Sequence, residues 1–402
     1  MNCWESIRDK TENKEIDFEI FYLLLSEFQK INSYQKKRNV EKIIKKYCLV
    51  NELLWFDLFV NNQIFKIEYR YECNDVSCSE KISEAKCDLC GEKVNEHDEF
   101  EIFVRLTKNI EEYLKEYNRN LLFSNINKKY LPTLKDIKKN LSDVVFFIGA
   151  GVSIPLGFPN WVNLFKKLEE GLVEESDKKK FKEYLDYGDV FKMIELIKRE
   201  SSLYRKDVDI KKYVQDELKK NKVNDCDNLT NYKSIFEVSR NFIVTTNYDH
   251  ALEWRNNKDD FGYRDLISFN RISGTTEFLK ELSIFHIHGE LDSIDSMIVT
   301  ESDYINFYRN KKNLDKLTSI FSGKRIVFIG FSFKDKYFKD LFGELNEIFK
   351  ENSYIITNNL HSMDIDDLVE ENLREINIEC DFDKIVETNE LIFKYLKSEL
   401  II

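Results

Sequence analysis

The stretch VVFFIGAGVSIPLGFPNW, residues 144–161, runs from five apolar residues into Gly149-Ala150-Gly151 and then Ser153, Gly157 and Pro159. Glycine placed between a strand and a helix lets backbone N–H groups come close to a phosphate, because no Cβ stands in the way and a helix N-terminus favours an anion. The whole chain holds 12 glycines and 3 prolines, and three of the former and two of the latter fall between Gly149 and Pro159. Such economy marks a loop whose backbone needs special dihedrals or a close approach. The spacing is not GxGxxG, since the third glycine is Gly157. The acids about 20 residues on, Glu169 and Glu170, fall mid-helix instead of at a strand end. From the residues alone the loop is either a nucleotide-phosphate cradle or a tight structural turn.

Three more apolar runs end in polar residues. Phe242–Val244 leads into Thr245-Thr246-Asn247-Tyr248-Asp249, Ile284–Ile287 into His288-Gly289, and Ile326–Ile329 into Gly330-Phe331-Ser332-Phe333 with Asp335 just beyond. Ligands of open α/β sheets bind outside the carboxyl ends of the strands. There Asn247 can donate and accept hydrogen bonds, and a histidine with its ordinary pKa near ~6.5 can take a proton at neutral pH. The structural alternatives are a helix cap at Asn247 and a satisfied core histidine at His288. His286, two residues earlier and so expected on the same strand face, suits packing better than a His-x-His metal pair, because no third ligand is close in sequence.

A second chemistry lies near the N-terminus. Cys73, Cys78, Cys87 and Cys90 form C-x4-C-x8-C-x2-C, and CDLCGE has the turn in which two thiolates grip one Zn²⁺, with Gly91 easing the knuckle. Four thiolates would close a structural zinc site, and His97 is able to replace one. Four unrelated thiols, or a redox pair at Cys87 and Cys90, are the competing readings. Cys3, Cys48, Cys226 and Cys380 show no pattern.

These residues need elements to hold them. From residue 143 onward, short wholly apolar runs (Val144–Ile148, Phe242–Val244, Ile284–Ile287, Ile326–Ile329, Tyr354–Ile356) alternate with helical stretches such as Trp161–Glu174. Strands apolar on both faces belong in a parallel sheet covered by helices on both sides. The expectation is an α/β, doubly wound, Rossmann-like domain over residues 131–402, after a small α+β zinc-binding module over 1–130. Within 1–130 a helix is expected at 17–32 and a basic helix over Lys36–Lys46, read as a solvated face. Two strands are expected over 53–72 around Asn61-Asn62, a strand over Phe100–Leu106, and helices at 108–118 and 133–140. The boundary is placed before Leu131-Pro132, because proline breaks local structure.

Composition bounds the rest. At 402 residues two or three domains are expected, and the net charge of −12 disfavours a protein that coats nucleic acid. A hydrophobic content of 42% with 31 Phe excludes a largely disordered chain. No run reaches the ~18 apolar residues of a membrane helix, and MNCWESIRDK lacks a signal sequence's apolar region. A cytoplasmic address follows as the expectation, with cysteines reduced or bound to metal.

Taken in order, GAGVSIPLGFPNW, TTNYD, HIHG and GFSFKD resemble the sirtuin-like (SIR2) superfamily, in particular its bacterial branch of NAD-consuming anti-phage effectors, over roughly residues 133–400. The resemblance implies NAD⁺ as substrate. It implies that Gly149, Ala150, Gly151 and Ser153 bind the phosphates, with Pro159, Trp161, Thr246 and Asp335 in the same site and Gly330 and Ser332 on its other side. It further implies that Asn247 and His288 are the catalytic pair and that Asp249 lies near the nicotinamide ribose. Cleaving the nicotinamide–ribose bond passes through an oxocarbenium-like state and releases neutral nicotinamide, so a protein must chiefly position a nucleophile and stabilise positive charge.

Sirtuin deacylases carry a zinc-bearing subdomain after the histidine and an acid-Phe-Arg triplet after the glycine loop. Here Pro159 is followed by Asn160-Trp161, and the 41 residues between His288 and Gly330 contain no cysteine. Water is then the expected attacker. The expected activity is an NAD⁺ glycohydrolase that depletes cellular NAD⁺, giving nicotinamide and ADP-ribose. A protein-lysine deacylase and a non-catalytic sensor of ADP-ribose-type nucleotides are the alternatives. The partners implied are further copies of the chain and a second defence protein (an ATPase, an Argonaute-type protein or a nucleotide-processing enzyme).

Overall fold

The structure is a computed structural model that describes residues 24–25, 27–28, 34–47, 52–72, 81–83, 86–87, 90–107, 118–220, 230–269, 282–331, 343, 348, 353–361, 368, 373–398 and 400. The chain divides into two compact units, Met1–Asn118 and Arg119–Ile402.

In the first unit, strands β1 (Gln35–Lys36), β2 (Phe65–Glu72), β3 (Lys81–Ser83) and β4 (Asp98–Leu106) form an antiparallel sheet in the order β1-β4-β2-β3. The helix Lys37–Tyr47 turns Val40 and Ile44 inward and leaves Arg38, Lys42, Lys45 and Lys46 in solvent, as the basic stretch predicts. Residues 53–61 are not the expected first strand; they belong to the helix Glu52–Asn61. A short run that is apolar nearly throughout has no period to tell helix from strand. Its fate is set by partners: Trp55, Phe56, Leu58 and Phe59 all bury, and Phe59 meets Phe28 edge-on at 5.6 Å. The Asn62 side chain then donates to the Leu58 carbonyl at 2.8 Å and ends the helix. Of the expected helix 17–32, Leu24, Leu25 and Phe28 are described and buried; residues 108–117 lie outside the described residues.

The second unit is built on seven strands, all paired in parallel: β5 (Val144–Ile148), β6 (Ile243–Thr245), β7 (Arg264–Ser268), β8 (Ser283–His286), β9 (Arg325–Ile329), β10 (Ser353–Asn358) and β11 (Leu373–Ile378). Their order is β11-β10-β9-β5-β6-β8-β7. The doubly wound, Rossmann-like expectation holds, with β7 and β11 as strands the hydrophobic runs did not reveal. Central β5 shows why such strands are wholly apolar. Val144, Phe146 and Ile148 pack into one core with Ile392 and Phe393 of the helix Ile385–Leu396. Val145 and Phe147 point the other way, into a core with Leu317, Ile320 and Phe321 of the helix Lys311–Phe321.

The unit boundary falls at 118/119 instead of 130/131. Leu122, Ile126 and Tyr130 join the core of the second unit. Pro132 stands in the first turn of the helix Leu131–Lys139, where its missing N–H costs nothing. The predicted helix Trp161–Glu174 begins at Trp161 but tightens after Phe165 into a 3₁₀ stretch, Lys166–Gly171. Among the described residues no helix is long and apolar enough to cross a membrane.

Candidate active site

The chain builds β5 and then β6 beside it, places β7 at the edge and β8 between β6 and β7, and returns across β5 to β9, β10 and β11. Loops diverge on either side of β5 at the carboxyl edge, which is where α/β sheets open a crevice. A cavity of about 370 Å³ lies there, within the range of small-molecule sites.

Two glycine loops form its floor. The Gly149 N–H donates to the Ile329 carbonyl and the Gly151 N–H to the Gly330 carbonyl, both at 2.8 Å. A Cβ at Gly149 or Gly151 would lie 2.7 or 2.8 Å from the Gly330 oxygen. Gly330 has φ +78°, and a Cβ there would lie 2.7 Å from Val152 Cγ2. These glycines therefore allow the loops after β5 and β9 to cross backbone to backbone. The N–H groups of Gly149 and Gly151 are spent on that crossing, and the Ser153 N–H on the Ala150 carbonyl at 3.0 Å. The loop closes through Gly157 at φ +91° and the Asn160 side chain, which accepts from the Asn163 N–H at 2.8 Å and starts the helix Trp161–Phe165.

Above the floor sits a buried polar cluster. Ser153 Oγ donates to Asp249 Oδ2 at 3.0 Å, accepts from Asn247 Nδ2 at 3.2 Å, and lies 2.6 Å from the Tyr232 hydroxyl. With the serine proton committed to the carboxylate, Tyr232 must donate to Ser153. Asn247 Nδ2 also donates to the Gly149 carbonyl at 3.3 Å, which ties the end of β6 to the end of β5. The Asn247 N–H is held by Thr245 Oγ1, whose own proton goes to the Ile148 carbonyl. Burial pushes the Asp249 carboxyl up from its ordinary value; the Ala251 N–H and the Ser153 hydroxyl pull the other way. Asp249 Oδ1 accepts from that Ala251 N–H at 3.1 Å, so the residue also anchors the helix Ala251–Asp259.

The two histidines part company. His286 Nδ1 is 2.8 Å from the Asn247 carbonyl and Nε2 is 2.7 Å from Glu253 Oε1. A carbonyl and a carboxylate only accept, so the ring donates from both nitrogens and carries a charge. Burial alone would lower its pKa, but the Glu253 charge and both hydrogen bonds outweigh that and raise it; Glu253, which burial alone would push up, is held down by His286. His288 is fully buried, with Nε2 2.6 Å from the Tyr308 hydroxyl and the Tyr304 ring at 5.2 Å. Burial drives its pKa down to about 3, so it is neutral. Next to it Gly289 takes φ +83°, where a Cβ would lie 2.1 Å from the Ser296 oxygen.

Of the residues singled out in the sequence, Ala150, Gly151, Ser153, Pro159, Trp161, Thr246, Asn247, Asp249 and Gly330 line this one cavity. Gly149 lies beneath it, and His288 is not in its wall. Ser332 and Asp335 lie outside the described residues. The wall continues past the expected residues to Thr357 and Asn358 at the end of β10, Ile378 at the end of β11, and Asn389 on the helix Ile385–Leu396. Thr357 and Asn358 follow an apolar run just as Asn247 does, and the strand-end rule would have found them. No lysine or arginine lines the cavity among the described residues; its one acidic wall residue there is Asp249.

The profile of one family, described as SIR2-like domain, matches residues 241–380, the stretch from β6 to β11. That stretch, about a third of the chain, is similar to a SIR2-like domain. It is similar to defense-associated sirtuin 2 of Bacillus subtilis, 25% identical over 257 residues, which are 61% of this chain and 21% of that protein. It is also similar to the NAD(+) hydrolase ThsA of Enterococcus faecium, 25% identical over 142 residues, 31% of this chain and 28% of that protein. The chain thus spans about a fifth of the first relative and a little over a quarter of the second. The SIR2-like match takes in Asn247, Asp249, His288 and Gly330; the loop Gly149–Pro159 lies ahead of it.

Proposed function

We propose that the SIR2-like unit is an NAD⁺ glycohydrolase of an anti-phage defence system, splitting NAD⁺ with water into nicotinamide, ADP-ribose and a proton. The observation that carries this reading is the convergence of Ser153, Asn247, Asp249 and Gly330 on one crevice of a SIR2-like domain, in a chain similar to a protein named as an NAD⁺ hydrolase. Asn247 is held by its backbone and by Ser153, so its amide is pre-oriented to hold a water or a ribose hydroxyl. Asp249 supplies negative potential beside the developing oxocarbenium ion. His288 serves as proton acceptor only once its ring is released from Tyr308 and turned toward the crevice. Further copies of the chain and a second defence protein are the partners in this reading, and one of them supplies that release.

The test incubates the full-length protein with NAD⁺ and resolves nicotinamide and ADP-ribose. Asn247→Ala is expected to lower turnover by at least two orders of magnitude, with its circular dichroism and unfolding midpoint near wild type. Unchanged turnover in Asn247→Ala would remove Asn247 from the chemistry. The sealed, neutral His288 favours one other reading, binding of an ADP-ribose-type nucleotide without turnover. ADP-ribose binding with no nicotinamide release, in the presence of candidate partners, would select it.

A further inference from the structure

We propose that Cys87, Cys90 and His97 of the first unit bind one metal ion, and that the donor set selects Zn²⁺. The three donor atoms lie within 4.8 Å of one another. They are brought there by a short folded loop. Lys86 bridges Lys93, the Cys87 N–H donates to the Glu92 carbonyl at 2.7 Å, and the Gly91 N–H returns to the Cys87 carbonyl at 2.9 Å. Gly91, directly after the second thiol, takes φ +76°, which lets the chain turn back this tightly.

His97 is the residue that the cysteine spacing does not select. It follows the 3₁₀ turn Val94–Glu96, and its Nδ1 is 3.0 Å from the Lys93 carbonyl. A carbonyl only accepts, so the proton sits on Nδ1 and the lone pair of Nε2 is left facing Cys90 Sγ at 3.2 Å. Orienting a ligating histidine through its other nitrogen is how metal sites fix the ring and its tautomer. A tetrahedral Zn²⁺ with Zn–S about 2.3 Å and Zn–N about 2.0 Å sets sulfur and nitrogen about 3.5 Å apart, a few tenths of an ångström from the distance here. Two thiolates and an imidazole are a soft-to-borderline set, which disfavours Mg²⁺ and Ca²⁺.

The surroundings supply a reason for a staple. Among the described residues, the apolar cluster around the loop has Tyr71, Cys87 and Val94 as buried members, with Tyr69, Cys90 and Phe100 packed against it and the Tyr71 ring 4.8 Å from that of His97. A metal ion would add a cross-link to that small cluster. His97 takes a place that four cysteines were expected to fill; Cys73 and Cys78 lie outside the described residues.

The experiment uses the full-length protein and does not depend on NAD⁺ hydrolysis. Elemental analysis after purification without chelator should find about one Zn²⁺ per chain. Exchange for Co²⁺ should give thiolate-to-metal absorption with visible bands of a tetrahedral ion. His97→Ala should weaken retention against a competing chelator by at least the roughly 10–100-fold that loss of a supporting hydrogen bond costs. His97→Cys should keep the metal and raise the thiolate-to-cobalt absorption, since one more sulfur binds. Wild-type protein without zinc that takes up no Co²⁺ would overturn the site. A His97→Ala protein that holds Co²⁺ as tightly as wild type, with the same spectrum, would remove His97 from it.

Discussion

His286 and His288 stand two residues apart at the end of β8, and the protein treats them in opposite ways. His286 is charged, clamped between Glu253 and the Asn247 carbonyl. His288 is neutral, enclosed by Tyr304 and Tyr308, with burial alone setting its pKa near 3. The expectation that both share one strand face fails because β8 stops at His286 and the chain turns at Gly289. What decides a buried histidine's charge is the partner: a carboxylate pays for the desolvation at His286, whereas two phenols cannot do so at His288. The charged ring holds the backbone of Asn247 in place, and the neutral ring is held against Tyr308.

The largest test removes the charge that separates the two rings. Glu253→Gln keeps the shape but leaves His286 without a counter-charge, and breaking a buried pair in this way costs about 3–5 kcal/mol. The measurement is the denaturant midpoint of the transition that includes the second unit. A loss below about 0.5 kcal/mol, the size of an ordinary surface substitution, would mean that His286 is neutral and the contrast is false.

A second test reads the same contrast as pH dependence, with the two histidines acting in opposite directions. His286 has a raised folded pKa. Its stabilisation is fully present below the unfolded value near ~6.5 and is lost as pH rises through the folded value. Its partner Glu253 has a lowered folded pKa, so that half is present above the unfolded carboxylate value and lost as pH falls through the folded one. His288 has a depressed pKa: between about 3 and the unfolded value near ~6.5 the unfolded chain binds a proton that the folded chain refuses, so stability falls on acidification. Its share of the slope is up to about 1.4 kcal/mol per pH unit. His288→Asn should flatten the acid limb by that amount, and His286→Gln should flatten the alkaline limb. An acid limb of unchanged slope in His288→Asn would show that His288 titrates normally.

The smallest expected effect sharpens the neutral side. Tyr308→Phe deletes the shorter hydrogen bond to His288 Nε2, leaving the Tyr304 hydroxyl 3.5 Å away, and should cost about 1 kcal/mol. If thermal unfolding of this variant matches wild type, Tyr308 does not hold the ring.

Much of this architecture was legible, and the misses share a cause. The five apolar runs all became strands of the central sheet, because strands covered on both faces must be apolar throughout. The two missed strands, β7 with RDLIS and β11 with LREINI, are the sheet's two edges, where Arg264 and Arg374 find solvent and charged residues blur the pattern. The stretch 52–61 failed for the opposite reason, being too apolar to show any period. The residues singled out at the ends of β5, β6 and β9 line the cavity, whereas Thr357 and Asn358 at the end of the equally legible β10 were passed over and His288 at the end of β8 stands outside the wall. Ile378 and Asn389 had no such signal, since one ends an unrecognised strand and the other lies on a helix whose approach depends on chain return.

Residue types and their order determined which side chains have chemistry to offer: the glycine loop, Asn247, Asp249, the histidines and the Cys87-x2-Cys90 knuckle. Those are covalent properties, carried along the chain wherever it goes. Folding alone decided that the glycines serve loop crossing, that one histidine is charged and its neighbour is not, and that His97 turns toward two sulfurs. Each of those outcomes depends on an atom brought from a distant or turned segment, and the energy of a hydrogen bond or a buried charge is set by that neighbour, not by the residue that carries it.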